Sequence, residues 1–412
     1  MRPSLLRHTR TFILPLLAIG LVLTGCDSTG SNGGNGDNGT TTFEYPSSNY
    51  GAETVTNLLA FDLGVRVGNA SETSESTLLN LYTGNSNDEP IRAAQNLTTE
   101  GQSVYGDIAS NVNLSSLVSK DDLVRGNQLD PQDTPNDGAA VNTDELLREY
   151  FRKAGVEDSS RTSNGIVLSQ FAEKMLLGTP IYGQGAALLR DFASGSVSSN
   201  QAEQWDAAFG YFGFPRTLEP FLDYSGGTEG LAGGNVARDV DSNGSVDLTS
   251  EYVHTWASYA IERSAAAANN DSPNDFARRA FEALRQGRED IENGDDPADH
   301  AQTALEAWEA TVAVNVIHYI NSMESNLEGV SGELGQGDVG EDAWGETKAF
   351  AWGLQFYSDK LNDSQLNDIL EDIGNDPPYG EKTASGYASD LADATQIIQD
   401  AYGFNSSNVE AW

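Results

Sequence analysis

Chemistry in this chain concentrates in one stretch, "ARDVDSNGSVDLTSEYVH", Ala237 to His254. Asp239, Asp241 and Asn243 stand two residues apart, Gly244 follows, and Asp247 and Glu251 come later. An EF-hand-type calcium loop places oxygens at its positions 1, 3, 5 and 9, a backbone carbonyl at 7 and a glycine at 6 that lets the chain turn sharply. Asp239, Asp241, Asn243, Gly244, Ser245 and Asp247 occupy positions 1, 3, 5, 6, 7 and 9 of that scheme. The departure is position 12, which is Ser250; the acid that would bind the ion bidentately, Glu251, comes one residue late. The preceding "SGGTEGLAGGN" supplies no entering helix. The pattern therefore predicts a stand-alone calcium loop with ligands Asp239, Asp241, Asn243, Ser245, Asp247 and Glu251, against the alternative of an acidic Asp/Asn/Gly turn.

Other constellations are thinner. Glu251 and His254 form a Glu-x-x-His pair, which on a helix shares one face, but a di-iron bundle needs a second copy and further carboxylates, and none exists. His318 is expected beside an apolar helix stripe, and His300 in a first turn near Asp296 and Asp299. There is no Gly-x-Ser-x-Gly elbow, P-loop or dinucleotide fingerprint. Trp205, Phe209, Tyr211, Phe212 and Phe214 could line a groove, but helical spacing reads them as core.

The charge sets the setting. With 62 Asp+Glu against 23 Lys+Arg the net charge is −39, which disfavours nucleic acid and anionic lipid as partners. In molar salt the Debye length falls to about 3 Å and such self-repulsion is screened, so the composition reads as adaptation to high salt. A content of 38% hydrophobic residues still supports a core.

Arg2, Arg7 and Arg10 precede the apolar run "FILPLLAIGLVLTG", which ends at Cys26. That is a secretory signal over residues 1–25, too short to span a bilayer. Leu23-Thr24-Gly25-Cys26 resembles the lipobox of bacterial lipoproteins, in which the cysteine is acylated and becomes the first mature residue. Cys26 is the only cysteine, so no disulfide can form within the chain. Residues 26–42, rich in Gly, Ser and Asn, read as a flexible tether. A membrane anchor through the N-terminal lipid, at a cell envelope and in the outer membrane, follows as an expectation.

The elements that must position these residues are helical. Leu305, Trp308, Val312, Val316, Tyr319, Met323 and Leu327 recur at steps of three and four, predicting a helix of about 30 residues with Asp296 as N-cap and Pro297 at its first position. A second helix is expected from Ser272-Pro273 to near Gly294, and others over 50–67, 143–154, 164–192, 251–268, 341–361, 363–373 and 384–402. Long helices on short Gly/Asp/Asn turns predict an all-α multi-helix bundle over 43–412, with two packed sub-bundles, 43–230 and 239–412, meeting at a seam near 225–250.

Six stretches, in order, resemble one family: "SSNYGAETVTNLLAF", "TLLNLYTGN", "GIVLSQFAEKMLLGTPIYGQ", "QWDAAFGYFGFP", "RDVDSNGSVDLTSEY" and "AFAWGLQFYSDKL". This is the group of bacterial surface lipoproteins known as domain-of-unknown-function family 4856. The block from Trp205 to Tyr211 is its most specific part. Members tend to carry a histidine just before that tryptophan, whereas Gln204 stands here, so no metal or proton-transfer role carries over to it. The family is similar in helical architecture to imelysin-like envelope proteins, which implies a setting in iron acquisition and, as an alternative, a metal-dependent peptidase. The imelysin-like motif Gly-x-His-x-x-Glu is absent: none of His8, His254, His300 and His318 has Glu three residues later. The reading leans to a non-enzymatic protein that captures a small ligand or assists an unknown envelope protein, with a purely structural envelope component as a further alternative.

Overall fold

Alanine and leucine are the commonest residues of the segments between glycine and aspartate turns, and in the computed structural model these segments are helices. It describes residues 41–45, 47–118, 120, 142–156, 160–162, 165–222, 236–268, 270 and 274–412. The helices are α1 (Gly51–Gly68), α2 (Glu75–Tyr82), α3 (Thr143–Val156), α4 (Leu168–Leu176), α5 (Gln184–Ala193), α6 (Gln201–Phe212) and α7 (Glu219–Leu222). Then follow α8 (Thr255–Ala267), α9 (Phe276–Asn293), α10 (Ala298–Leu327), α11 (Glu341–Gly353), α12 (Asp363–Ile373), α13 (Ala384–Tyr402) and α14 (Ser406–Ala411). One two-stranded ribbon joins them, β1 (Val236–Ala237) antiparallel to β2 (Tyr252–Val253). The fold is an all-α multi-helix bundle. The expected signal peptide, Cys26 and most of the tether lie outside the described residues.

Helix α10 is the axis. It packs against α5, α8, α9, α11 and α13. Its expected stripe is buried except for Tyr319, which stacks half-buried on Phe350 with centroids 5.7 Å apart. Burial reaches beyond that stripe, because small residues on the other faces let neighbours close in on nearly all sides from Ala301 to Ile320. Pro297, not Asp296, is its N-cap residue, although the Asp296 carboxylate still accepts the Ala298 N–H at 3.1 Å. Residues 41–412 form one compact unit, and a single apolar cluster takes residues from both sides of the 225–250 stretch.

Several boundaries moved, each for a physical reason. The run expected as one helix over 164–192 is α4 and α5 joined by a π-helical segment, Leu177–Gly183. Pro180 sits inside it; lacking an N–H and crowding the preceding turn, proline favours such a widened turn. The Leu177 carbonyl there accepts the Trp256 indole N–H at 3.0 Å. The helix expected over 341–361 stops at Gly353. Beyond it the Ser358 hydroxyl (2.6 Å) and the Asp359 and Lys360 N–H groups (3.1 Å each) donate to the buried Glu309 carboxylate on α10. The helix expected over 251–268 starts only at Thr255, because Tyr252 and Val253 are extended in the ribbon. The expected opening at Ser272-Pro273 lies outside the described residues; α9 begins at Phe276, capped by Asp275, whose carboxylate accepts the Arg278 N–H at 2.9 Å.

Candidate metal centre

The ribbon exists to close a loop. Val236 pairs with Val253 and Ala237 with Tyr252, so residues 238–251 leave and return at the same point. Within the loop Ser242 and Gly244 adopt positive φ, 61° and 93°. A side chain at 244 would meet no atom within 4 Å, so glycine is required there by backbone conformation rather than by space. The Asp239 carboxylate accepts the N–H groups of Asn243 (3.0 Å) and Gly244 (2.8 Å), and Asp241 also accepts from Asn243 N–H at 3.0 Å. The Asn243 side-chain oxygen in turn accepts from the Ser245 N–H (2.9 Å) and hydroxyl (2.7 Å).

Glu251 closes this turn despite its offset. It is 6% exposed, and its two oxygens accept the N–H groups of Val240 (2.7 Å), Asp241 (3.1 Å) and Asp247 (3.0 Å). A second segment lies along the loop. Val246 N–H donates to the Thr98 carbonyl (2.9 Å), and Glu100 N–H donates to the Val246 carbonyl (3.1 Å). Gln102 accepts the Leu248 N–H and donates to Asp247, both at 2.7 Å. Burial pushes the Asp247 carboxyl up, but hydrogen bonds from Thr249 N–H, the Ser250 hydroxyl and Gln102 together hold it below the ordinary value.

This pairing delivers an acid that sequence reasoning missed. Carboxylate oxygens of Glu100, Asp241 and Glu251 lie within 4.8 Å of one another, and Asn243 bridges Glu100 to Asp241 through its amide. Two oxygens each about 2.4 Å from one calcium ion can be at most about 4.8 Å apart, so the three meet the distance condition for sharing one ion. All are hard oxygen donors with no sulfur or imidazole, which suits calcium rather than zinc. Of the six expected ligands, Asp241 and Glu251 are in this set. Asp239 and Asp247 lie outside it: Asp239 accepts the Asn243 and Gly244 N–H groups, and Asp247 is held by Gln102, Thr249 and Ser250, while Asn243 and Ser245 bond to each other. The three acids, with Arg216, Asp247 and Ser250, line an open cavity of about 330 Å³.

Each of the three described histidines has a partner within the fold. Glu251 and His254 do not share a helix face, since the extended β2 separates them. His254 is buried; Nε2–H donates to the Leu248 carbonyl at 3.0 Å, and burial pulls its pKa down to about 4. His318 bonds the Trp412 carbonyl through Nδ1 at 2.7 Å; burial and then Arg263 lower its pKa to about 4. His300 is half-buried and faces Asp290 at 3.3 Å rather than Asp296 or Asp299. Trp205, Phe209, Tyr211, Phe212 and Phe214 are all buried, so they are core. Among the described residues no helix is long and apolar enough to cross a membrane. No family model, no curated protein and no solved structure matches the chain.

Proposed function

We propose that this chain is a lipid-anchored cell-envelope protein, non-enzymatic, whose 239–251 loop binds calcium and whose helical body captures a ligand or serves an accessory role. The observation that carries the calcium reading is the convergence of Glu100, Asp241 and Glu251, from segments far apart in sequence, on one point at a cavity wall. Three like charges repel at that spacing, and a divalent cation removes the repulsion. The anchored setting is supported by the lipobox-like Leu23-Thr24-Gly25-Cys26 and by the resemblance of the six quoted stretches.

Calcium that binds the folded state alone stabilises it by roughly 2.7 kcal/mol at about 100 times its dissociation constant. The expected result in molar sodium chloride is a rise of a few degrees in melting temperature with calcium and much less with magnesium, which demands tight octahedral geometry. Asp241→Ala should abolish the calcium response while leaving the calcium-free melting point almost unchanged, because Asp241 is exposed. Equal responses of wild type and Asp241→Ala would reduce the loop to an acidic turn.

The anchor makes a separate prediction. Cys26→Ser should abolish labelling by a fatty-acid probe and leave an uncleaved or soluble species. Membrane partitioning identical to wild type would remove the lipoprotein reading.

A further inference from the structure

Glu100 poses a problem of position. Its side chain is exposed, and the two acids it meets at the site, Asp241 and Glu251, carry the same charge. Repulsion between like charges at that spacing favours an exposed glutamate that swings outward. The Asn243 amide bridges Glu100 to Asp241, but Asn243 is exposed too. The approach must therefore be held by the backbone that carries Glu100.

Residues 98–102 form a hook with Glu100 near its tip. The Gly101 N–H donates to the Thr99 carbonyl at 2.9 Å, the Thr99 hydroxyl donates to the Gln102 carbonyl at 3.0 Å, and Gly101 turns the chain with a φ of 74°. One arm is tied to the 239–251 loop through backbone, by the bonds that Thr98 and Glu100 make with Val246. The other arm reaches the loop through a side chain. Gln102 accepts the Leu248 N–H through Oε1 and donates through Nε2 to Asp247, both at 2.7 Å. An amide suits both tasks: a carboxylate there would repel Asp247, and an ammonium could not accept from Leu248. The loop's own turn does not depend on this clasp. Asp239 gathers the Asn243 and Gly244 N–H groups, and Glu251 gathers those of Val240, Asp241 and Asp247.

We infer, resting on the reading that this loop binds calcium, that Gln102 is a positioning residue of the site. Its amide is committed to Asp247 and Leu248 and does not serve as a ligand. What it fixes is the register of the hook, and with it the entry of Glu100 into the ion's shell beside Asp241 and Glu251. Because it acts through Glu100, it governs calcium affinity only while that carboxylate is present.

The test is a double-variant cycle on the full chain, read by isothermal titration with calcium chloride in molar sodium chloride, which screens diffuse attraction of cations to an acidic protein. Gln102→Met keeps the length of the side chain and removes both polar contacts, while Glu100→Gln removes the ligand charge. Gln102→Met should weaken calcium about tenfold or more, the range for residues that orient a metal ligand, and Glu100→Gln by at least as much. The double variant should bind calcium no more weakly than Glu100→Gln alone, because two changes that act through one group do not add. Amide hydrogen exchange in chelator supplies a calcium-free readout. There Gln102→Met should speed exchange in 98–102 and leave 239–244 as in wild type. An unchanged calcium affinity in Gln102→Met, effects that multiply in the double variant, or equal loosening of 239–244 would overturn the inference and leave calcium binding itself intact. Absence of saturable calcium binding by the wild type would instead overturn the calcium reading, and the inference with it.

Discussion

Lys348→Met is expected to stabilise the protein at pH 7 by roughly 2–4 kcal/mol, as replacement of a poorly paired buried charge by an apolar chain does. Lys348 lies on α11 and is wholly buried. Its ammonium has three donors but one acceptor here, the Leu370 carbonyl at 2.9 Å; its Nζ also lies 5.9 Å from the Trp352 ring centroid. Burial pulls its pKa down to about 7, with only a partial counter-effect from Asp376. Methionine matches the length of the stem. The Leu370 carbonyl would not be orphaned, because it also accepts the Gly374 N–H at 3.2 Å.

The pH dependence carries the sign. An unfolded lysine holds its proton up to about pH 10.4, whereas folded Lys348 releases it near 7. Between those values the unfolded state binds more protons, so wild-type stability should rise with pH relative to Lys348→Met, by up to about 1.4 kcal/mol per pH unit. Below pH 7 both states are protonated and the penalty is constant. Urea unfolding of the two proteins at pH 7, 8.5 and 10 checks this, and curves that stay parallel across that range would contradict it.

Legibility in the sequence followed how local each cause was. The α10 stripe, the bounds of α12 and α13 and the buried aromatics of α6 depend on residues within a few positions, and all could be read directly. So could Gly244, whose positive φ is a local requirement, and Glu251, which reaches the loop from its own end. Glu100 could not be read this way. It reaches the loop because Thr98 and Val246 exchange a backbone bond across nearly 150 residues, and an acidic side chain in "LTTEGQS" carries no mark of that pairing. The end of α11 was hidden for the same reason. "AFAWGLQFYSDKL" continues a helical pattern, but α11 ends at Gly353 and the segment beyond is held by Glu309, a buried carboxylate on another helix that accepts the N–H groups of residues 359 and 360. The π-helical segment was half-visible: Pro180 announces a disturbance, but its contacts, Trp256 to the Leu177 carbonyl and Tyr182 to the Tyr357 carbonyl, join residues distant in sequence.

Asp206→Ala should destabilise the protein by about 3–5 kcal/mol, the range for breaking a buried ion pair from one side. Asp206 belongs to the Trp205–Tyr211 block, and the pair it makes explains why that block binds distant parts of the chain together. Arg288 on α9 is wholly buried and donates through Nε to Asp206 at 2.8 Å, while its guanidinium lies 4.8 Å above the Tyr45 ring and also meets Glu292. Asp206 in addition accepts the Asn49 N–H at 3.3 Å, and the neighbouring Trp205 indole donates to the Leu284 carbonyl at 2.6 Å. Two adjacent side chains thus fasten α6 to α9 and to the segment that leads into α1. Removing the carboxylate leaves a buried guanidinium with only the exposed Glu292 and the Ser47 hydroxyl as partners, and it frees the segment at 43–50. The double variant Asp206→Leu, Arg288→Met should recover most of the loss, because it removes both charges and fills the space. Urea unfolding of Asp206→Leu, Arg288→Met and the double variant measures the coupling. Limited proteolysis at 43–50 should be faster in Asp206→Ala and close to wild type in the double variant. A loss under about 1 kcal/mol in Asp206→Ala, or a double variant no more stable than the single, would mean that the pair does not hold this junction.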